Sequence, residues 1–487
     1  MSGEEAAGAQ THSAPVLIVG AGPAGLTTAI TLAHQGIESL LIERRADLSE
    51  LPRATVISTR SMELLRSWGL ESRIHAGAVD VTSAAWRTIT LASGEGSVMP
   101  IGLPNRAQAA AISPTGPVWA PQDHLESVLL AHLRTHRDAR IRYSTELIAF
   151  DQYYGGVYAT MRDLECGATT TVPVRFVVAA DGANSTVRNT LGIPMCGPDP
   201  LLESLTALFM APLWDVVGEN RYGLYTIGHP EAEGVFYPSG GDRWTYGRVW
   251  KVGRERFADY SADRLIRMIR LGAGVPELKL KLLRVGFFDF ATKLADRFRD
   301  RHVFLAGDAA HQITPVGGTG MNTAIHDGYD LGWKLTWTLR GWAGPELLDS
   351  YEVERRPIAT ANAARSAEEI GIECTAAQGL AVDLCGRLPH AWISAADGLV
   401  STLDLLGPGL TLLTDRSGQA WHAAADAVCS PVPLVRHALD AVTAAAVGIE
   451  PGAALLVRPD AHIAARWAGH ETDALATLRT GIRHATG

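Results

Sequence analysis

The stretch from Val16 to Glu43 restricts the fold of this chain more than any other, because it has the pattern strand, glycine turn, helix, strand. Its first part, Val16 to Val19, is short, apolar and β-branched, which is typical of a strand buried on both faces. It leads into the turn Gly20-Ala21-Gly22-Pro23-Ala24-Gly25. In a G-x-G-x-x-G turn the first glycine permits the bend, the second lets a pyrophosphate approach the backbone, and the third lets helix and strand pack closely.

The second strand of this unit ends in a carboxylate. We predict that the helix ends near Gly36 and that the strand covers Glu38 to Ile42, which places Glu43 at its carboxyl end. Glu43 follows Gly25 at nearly the spacing of about 20 residues at which an acid meets a ribose hydroxyl pair. A lone glycine turn also serves as a plain bend, but the whole unit favours binding of an adenine dinucleotide.

Composition narrows the class of protein. A length of 487 residues predicts about three domains, and 47% hydrophobic with 20% charged residues is typical of a globular chain. The net charge of −9 argues against a nucleic-acid partner. Five cysteines without a C-x-x-C spacing predict neither a zinc site nor a disulfide framework, and they favour a reducing compartment.

The sequence contains no pattern of export or membrane insertion. Residues 1–15 are acidic, small and polar, unlike a signal peptide, and no apolar run approaches the ~18 residues of a membrane span. We therefore expect a cytoplasmic protein that does not contact a membrane.

Residues 84–187 predict strands and helices around a second buried strand. Strands are expected between 84 and 101, a helix from Pro121 with Asp123 as its cap, and a meander of short strands between 141 and 161. A buried strand from Val174 to Ala180 ends in Asp181-Gly182, and Ser185 is placed to cap the next helix.

Residues 204–250 predict an antiparallel sheet rich in aromatic side chains. For any single aromatic residue, a place in the sheet core is the better interpretation. As a group, these residues are predicted to wall a pocket for a flat apolar ligand: Tyr222, Tyr225, Phe236, Tyr237, Trp244, Tyr246 and Trp250.

The dinucleotide pattern returns near residue 301. A buried strand to Ala306 is followed by Asp308, which can accept a hydrogen bond from a polyol hydroxyl, and by a glycine-rich loop at 314–320. The helix that opens at Met321 would present free N–H groups and a partial positive charge. His311 and His326 are possible bases, although packing is the better interpretation of each.

Three segments in this order resemble the flavin-dependent aromatic hydroxylases, the group A monooxygenases with the para-hydroxybenzoate hydroxylase fold. The segments are GAGPAG with Glu43, AADGANSTVR, and FLAGDAAHQITPVGGTGMNTAIHDGYDLGWKL. The resemblance covers about the first 365 residues. Within the family, the chain is most similar to hydroxylases that tailor aromatic polyketides of the aklavinone and angucycline type.

The resemblance implies an α/β fold in three parts. A Rossmann-type FAD-binding domain, of the glutathione-reductase kind, would comprise residues 14–195 and 285–370. An inserted antiparallel-sheet substrate domain would comprise 196–284, joined by the strands near 84–101. Residues 395–487 would form a thioredoxin-like domain which, lacking C-x-x-C, has a structural or oligomerisation role.

The resemblance also implies the cofactor residues. Glycines of the first turn, with Glu43 and Arg44, would hold the ADP half of FAD, and Gln122 and Asp308 would meet the ribityl chain. Arg53 would lie beside the mobile flavin ring, and Asp181-Gly182 would approach both the pyrophosphate and the transient nicotinamide cofactor. The turn from Gly317 to Asn322 would aim helix N–H groups at the pyrimidine end of the flavin. The implied set is Gly20, Gly22, Gly25, Glu43, Arg44, Arg53, Gln122, Asp181, Gly182, Asp308, Gly320, Met321 and Asn322. No catalytic base is assigned, and the candidates for a catalytic role are Arg53, Pro315 and Tyr237.

The implied activity is an FAD-dependent monooxygenase in natural-product biosynthesis. NADPH or NADH would reduce the flavin transiently, O₂ would add to form a flavin hydroperoxide, and an oxygen atom would pass to a phenolic or quinoid, polycyclic substrate. Two alternatives stay open: the same flavin chemistry used for Baeyer–Villiger insertion or oxidative decarboxylation, and a non-catalytic flavoprotein that sequesters an aromatic antibiotic. A flavin halogenase is disfavoured because no W-x-W-x-I-P segment is present. A homodimer is a further expectation.

Two features depart from the family pattern. The loop reads Thr314-Pro315-Val316 where many relatives carry a second proline, which bears on loop rigidity. The connection near Cys374 to Leu399 is short, and we expect this to reshape the substrate entrance or the dimer contact.

Overall fold

The structure, a computed structural model, describes residues 14–487 apart from 199–201, 291, 368–373, 396–397, 470 and 472. Residues 396–397 of the predicted short connection, and residues 368–373 just before it, therefore lie outside the described residues. The described strands are β1 (Val16–Val19), β2 (Ser39–Ile42), β3 (Thr82–Thr88), β4 (Ser97–Met99), β5 (Ala139–Arg142), β6 (Thr145–Tyr153), β7 (Gly156–Asp163), β8 (Thr169–Val174), β9 (Phe176–Ala179), β10 (Met195–Cys196), β11 (Leu202–Met210), β12 (Tyr222–Ile227), β13 (Gly234–Pro238), β14 (Arg243–Lys251), β15 (Lys281–Phe290), β16 (Lys293–Ala295), β17 (Arg299–Asp300), β18 (Val303–Leu305), β19 (His311–Gln312), β20 (Trp392–Ala395), β21 (Gly398–Ser401), β22 (Leu410–Asp415), β23 (Leu434–Leu439), β24 (Ala454–Val457) and β25 (Ile463–Trp467).

The described α-helices follow the same numbering. They are α1 (Pro23–His34), α2 (Thr59–Ser67), α3 (Glu71–His75), α4 (Arg106–Ile112), α5 (Gln122–Leu133), α6 (Thr186–Thr190), α7 (Leu213–Val217), α8 (Ala262–Ala273), α9 (Gly320–Leu339), α10 (Ser350–Ala367), α11 (Ala376–Asp383), α12 (Gln419–Ala427), α13 (Ala441–Ala446) and α14 (Ala474–Thr486). Within the part of the chain that the structure describes, no helix is long and apolar enough to cross a membrane.

The central sheet is built on the segment that opens the chain. Its strand order is β17-β18-β9-β1-β2-β5, and all pairs are parallel except β17 with β18. The strands β1, β2 and β9 are buried along their whole length, which fits their continuous apolar sequences. The carboxyl ends of β1, β9 and β18 therefore lie side by side at one edge of the sheet.

Two long helices pack closely on this sheet because small residues line their contact. A Cβ atom built on Gly328 of α9 would lie 2.4 Å from the carbonyl oxygen of Ala24, and one built on Gly332 would lie 2.4 Å from Cβ of Thr31. Helix α9 is consequently seated directly against α1. The predicted meander is also present as the antiparallel sheet β6-β7-β8.

A second sheet of seven strands lies beside the first, in the order β15-β11-β14-β13-β12-β3-β4. Strands β3 and β4, from the predicted region near 84–101, belong to it, and β15 runs past the boundary predicted between 284 and 285. One face of this sheet packs on α8 around the buried side chains Leu265, Met268 and Ile269.

The C-terminal part has its own four-stranded sheet, in the order β23-β22-β24-β25. Strand β23 is parallel to β22, and β24 and β25 are antiparallel to their neighbours. Its core is continuous with α9, because Trp333 and Trp337 pack in one buried cluster with Leu412, Trp421 and Leu478. The sheet is thereby attached to the long helix that begins at the predicted cofactor loop.

Candidate active site

One cavity of about 1370 Å³ extends from the carboxyl edge of the parallel sheet to the free face of the seven-stranded sheet. Sites for a single small molecule commonly occupy about 300–1,000 Å³, so this cavity has room for a large cofactor and a second ligand. Nearly all residues that the sequence predicts for the site line it. They are Gly20, Gly22, Glu43, Arg44, Arg53, Gln122, Asp181, Gly182, Asp308, Pro315, Gly320, Met321 and Tyr237.

The three glycines of the first turn are required for different reasons. Gly20 has φ +105°, and a Cβ atom there would lie 2.3 Å from the carbonyl oxygen of Ala180. A Cβ atom on Gly25 would lie 2.0 Å from the carbonyl oxygen of Gly20, so this glycine seats α1 on β1 and does not line the cavity. A Cβ atom on Gly22 would meet nothing within 4 Å. Gly22 thus opens the start of α1 to a ligand.

The start of α1 has the backbone geometry of an anion-binding site. Gly22 is the N-cap and offers no side-chain acceptor to the first turn, while Pro23 begins the helix. Backbone N–H groups at such a helix start bind anions. Glu43 stands beside it at the end of β2, where its two carboxylate oxygens accept the N–H groups of Ala21 at 2.9 Å and Arg45 at 3.0 Å. This fixes the carboxylate at the cavity wall, with further lone pairs free for hydroxyl donors.

Asp181 follows β9 and carries a buried oxygen without a partner. One carboxylate oxygen accepts the N–H of Val187 at 3.2 Å, whereas Oδ1 has no hydrogen-bond partner although it is buried. Ser185 caps α6 as predicted, accepting the N–H of Arg188 at 3.0 Å. An orphaned buried acceptor costs free energy, so Asp181 Oδ1 is suited to a donor supplied by a ligand.

Asp308 follows β18 and faces the cavity. Burial raises the pKa of its carboxyl group, while His311 and Arg53 favour the charged form. Its neighbours in the cavity include Gln122, whose amide donates to Glu126 at 2.7 Å. Burial raises the pKa of Glu126 to about 6, although the hydrogen bond from Gln122 and the charge of Arg53 act to lower it. Sequence reasoning missed Glu126, although its place one helical turn after Gln122 was the available signal.

The loop before α9 is held in place by its own glycines and by Asn322. Gly317 and Gly318 have φ of +80° and +64°. The Asn322 amide donates to the carbonyl oxygens of Val56 at 3.1 Å and Gly318 at 2.8 Å, and its oxygen accepts the N–H of Ser58 at 2.8 Å. The side chain of Asn322 therefore fixes the loop and does not line the cavity, while Gly320 and Met321 at the start of α9 do.

The two histidines considered as bases lie outside the cavity. His311 is buried, with its Nε2 atom 2.6 Å from Oδ2 of Asp327. Burial alone would raise the pKa of Asp327, but His311 and Arg355 outweigh it and lower that pKa. The Nε2 atom of His326 lies 3.1 Å from Oγ of Ser61, beside a separate chamber of about 40 Å³. Both histidines are used in packing.

The prediction that the aromatic group walls a pocket is wrong. Of these seven aromatic residues, all of which the structure describes, Tyr237 alone lines the cavity. Tyr222 stacks on Trp86. The other five are buried in the core against α8: Tyr225, Phe236, Trp244, Tyr246 and Trp250. Alternate residues of a strand point to opposite faces, so most of the aromatic side chains share the helix-facing side.

The face that does line the cavity is made of small residues. Strand pairing places Gly286, Thr206, Gly247 and Val235 side by side across β15, β11, β14 and β13, and all four line the cavity. The next row is bulkier, with Leu208 paired to Arg284 and Thr245 paired to Tyr237. The row of small residues is therefore a shallow trough across the strands.

Tyr237 stands at the side of this trough. Burial raises the pKa of its phenol to about 12, so the group is a neutral hydroxyl at physiological pH. The neighbouring Thr245 hydroxyl lies 2.8 Å from that of Ser239.

Asp123 is not the helix cap that the sequence predicts, because Pro121 occupies that position. The Asp123 carboxylate instead lies 2.7 Å from Nη1 of Arg243 on β14. This ion pair joins α5 to the second sheet.

A cavity that holds two helix starts, a fixed carboxylate beside the first of them and an orphaned Asp181 oxygen is suited to a large anionic cofactor. Family comparison agrees: residues 13–366 match the FAD binding domain family and residues 383–487 match the aromatic-ring hydroxylase C-terminal family. The chain belongs to the FAD-dependent aromatic-ring hydroxylases, which are monooxygenases.

Individual relatives cover nearly the whole chain. Tetracenomycin A2 monooxygenase-dioxygenase of Streptomyces glaucescens is 33% identical, over 97% of this chain and 96% of the relative. Aklavinone 12-hydroxylase of Streptomyces purpurascens is 33% identical, over 97% and 98%. A crystal structure of aklavinone-11 hydroxylase in a ternary complex with FAD and aklavinone aligns with a TM-score of 0.89 and 31% identity, over 98% of this chain and 100% of that one.

Proposed function

We propose that this protein uses FAD, a reduced nicotinamide and O₂ to hydroxylate a planar, polycyclic phenol or quinone of the aromatic polyketide class. The observation that carries the proposal is the single cavity, which joins the glycine turn of β1 and α1 to a flat trough across the second sheet. One end suits a dinucleotide and the other suits a flat ring system. Relatives named for tetracenomycin and aklavinone chemistry support the choice of substrate class.

We assign the ADP half of FAD to the start of α1. The N–H groups after Gly22 would receive the pyrophosphate, and Glu43 would accept the adenosine ribose hydroxyls, with Arg44 beside them. Asp181 Oδ1 would gain the hydrogen-bond donor that it lacks, and Gly182, with φ +83°, would let the backbone approach the same phosphates. Gly20 and Gly25 act through the shape of the turn.

We assign the flavin half to the far side of the cavity. Gln122 and Asp308 would hold the ribityl hydroxyls, and the N–H groups at the start of α9, at Gly320 and Met321, would face the pyrimidine end of the ring. Asn322 contributes by fixing the loop. Arg53, which lines the cavity without an ion-pair partner among the described residues, would lie beside the flavin ring.

When bound, FAD supplies electron transfer from the nicotinamide and activation of O₂. The protein's own residues orient the cofactor and the substrate and stabilise charge on the cofactor. The partial positive charge at the start of α9 favours a negative charge at the pyrimidine edge without any rearrangement of the protein. Because its pKa is high, Tyr237 can donate a hydrogen bond to a substrate oxygen but does not serve as a base at neutral pH.

The trough would orient the substrate. Its four residues span three strand spacings, roughly 14 Å, with no side chain larger than valine. A fused ring system can lie flat along such a row, whereas bulky aromatic side chains there would obstruct it. Arg53, Pro315 and Tyr237 remain the candidates for direct roles in the reaction, since all three line the cavity.

The division of the chain also remains a proposal. We place the FAD-binding domain at 14–195 and 285–370, and a thioredoxin-like domain at 395–487. The substrate domain lies at 196–284, joined by the strands near 84–101 and continued by β15 to Phe290. The separate sheets support three units, and the mixed order β23-β22-β24-β25 supports the thioredoxin-like assignment. The homodimer, the cytoplasmic location and the effect of the short connection are predictions from the sequence alone.

The test is a visible spectrum of the purified protein, followed by NADPH and NADH oxidation in air with tetracyclic and monocyclic phenols and quinones. We expect flavin bands, oxidation stimulated by the tetracyclic compounds, and a product heavier by one oxygen atom. A product that has lost carbon dioxide would instead indicate decarboxylation. A product with the same gain in mass, but with the new oxygen bonded between two carbon atoms as an ester or lactone, would indicate Baeyer–Villiger insertion. Tight binding without stimulated oxidation would indicate sequestration, and a protein that cannot be loaded with FAD would refute the cofactor assignment.

A further inference from the structure

Three histidines meet at the end of the FAD-binding part that lies away from the cavity. His34 is the last residue of α1, His132 is in the last turn of α5, and His136 follows that helix by three residues. The Nε2 atoms of His34 and His132 are 2.9 Å apart, and those of His132 and His136 are 3.5 Å apart. One ring nitrogen from each of the three lies within 4.8 Å of the others.

We propose that His34, His132 and His136 form a binding site for one divalent transition-metal ion of the zinc class. In a tetrahedral site with Zn–N bonds of 2.0–2.1 Å, ligand nitrogens are about 3.3 Å apart, close to the two spacings between these rings. Three imidazoles leave a fourth position for water. His34 is exposed and the other two are partly exposed, so an ion can reach the site from solvent.

The surroundings favour a cation at this site. Imidazoles bind metals in the neutral form, which presents a ring-nitrogen lone pair and predominates above the ordinary histidine pKa of about 6.5. The carboxyl ends of α1 and α5 meet here, and their partial negative charges attract a cation. Arg73, close to His132, and Arg340, whose guanidinium donates to the carbonyl oxygen of Gln35 just after α1, oppose this attraction.

The site would tie together two helices that begin at the cofactor cavity. Helix α1 starts at the glycine turn and α5 starts at Gln122, and each has 12 residues, so the metal would lie roughly 18 Å from the cavity. An ion bound by both carboxyl ends fixes the helices relative to each other. This metal site is distinct from the flavin site, and the proposal for it does not depend on the proposed function.

The test uses the flavin-loaded protein, stripped of metal and dialysed against Zn²⁺, with metal analysis and a Co²⁺ difference spectrum. We expect one Zn²⁺ per chain, a tetrahedral Co²⁺ spectrum and a higher unfolding temperature with Zn²⁺. His132→Gln and His136→Gln should each weaken Zn²⁺ binding at least about tenfold, while leaving the flavin spectrum unchanged. His484→Gln, which removes an exposed histidine of α14, is the matched control.

Two results would overturn the proposal. One is wild-type protein that retains no more Zn²⁺ than His132→Gln at equal free metal. The other is an equal loss of Zn²⁺ in His484→Gln, which would assign the uptake to scattered surface histidines.

Discussion

At the scale of single residues, the glycine turn separates packing from ligand contact. Gly25 is needed by the protein itself, since a Cβ atom there would lie 2.0 Å from a backbone oxygen. Gly22 has φ −79° and open space around its Cβ position, so the fold tolerates a side chain there. Only a ligand at the start of α1 would make Gly22 necessary. Two neighbouring glycines can therefore be distinguished by experiment.

We predict opposite outcomes for Gly22→Ala and Gly25→Ala. Gly22→Ala should cost the apoprotein less than about 1 kcal/mol but weaken FAD binding about tenfold or more, because its methyl group occupies the pyrophosphate position. Gly25→Ala should destabilise the apoprotein by about 1–3 kcal/mol through overpacking. Denaturant unfolding of the apoproteins and flavin fluorescence titration measure the two quantities. Unchanged FAD affinity in Gly22→Ala would contradict the placement of the pyrophosphate.

Glu126 is a buried carboxyl group whose charge costs stability. Its pKa is raised from 4.5 to about 6, chiefly by burial, so folding favours the protonated form. The stabilisation from that form is fully present below pH 4.5 and is lost as the pH rises through about 6. At about 1.4 kcal/mol per pKa unit, the loss is about 2 kcal/mol.

We predict that Glu126→Gln removes this pH dependence. Relative to wild type, the apoprotein of the variant should gain about 2 kcal/mol between pH 4 and pH 8, since glutamine still accepts from Gln122 but carries no charge. Urea unfolding of both proteins at a series of pH values measures the difference. Glu146→Gln, at an exposed ion pair with Arg162, is the control and should show a much smaller change. A constant difference from pH 4 to pH 8 would refute the assignment.

At the scale of elements, the sequence predicted features that depend on neighbouring residues better than it predicted which face of a sheet each strand side chain occupies. The unit β1-α1-β2, the cap at Ser185 and the glycine loop before α9 are set by neighbouring residues, and the structure has them where expected. The face that an aromatic residue of β13 or β14 presents depends on register, and which face meets the cavity depends on packing against α8. That information lies in contacts between distant segments. The predicted aromatic wall was therefore wrong, although Tyr237 does line the cavity.

The trough across the second sheet makes a prediction about substrate size. Gly247→Val would place a branched side chain in the middle of the row, where even a Cβ atom lies 3.0 Å from Cγ2 of Val235. We expect KM for a tetracyclic substrate to rise about tenfold, with little change for a monocyclic phenol and none in FAD content. Steady-state NADPH oxidation with both substrates measures the selectivity.

The control for this experiment lies on the same strand. Lys251→Val places the same side chain at the exposed end of β14, outside the cavity, and should leave both KM values unchanged. A parallel rise of KM for both substrates in Gly247→Val would indicate general damage to the site and would contradict the trough as a determinant of substrate length.

At the scale of the whole molecule, α9 connects the cofactor site to the C-terminal sheet. Its first residues line the cavity, and Trp333 and Trp337 near its end are fully buried against that sheet. Ion pairs also link the two parts. Arg458 of the C-terminal part donates to Glu354 of α10 at 2.7 Å, and Nζ of Lys334 on α9 lies 3.0 Å from the same carboxylate. No local sequence pattern predicts contacts such as that between Arg458 and Glu354, because these residues are 104 positions apart. These contacts imply that FAD binding and the C-terminal part are coupled in stability.

We predict that Trp337→Ala breaks this coupling. The indole is fully buried and donates to the carbonyl oxygen of Pro408 at 2.9 Å, so truncation should cost about 3–5 kcal/mol at the junction. In calorimetry, the wild type should unfold in one transition that FAD shifts upward as a whole. The variant should show two unfolding transitions. FAD should raise the temperature of only one of them, the transition of residues 13–366, which match the FAD binding domain family. Two separate transitions already in the wild type, with FAD acting on one, would show that the buried tryptophan cluster does not couple the two parts.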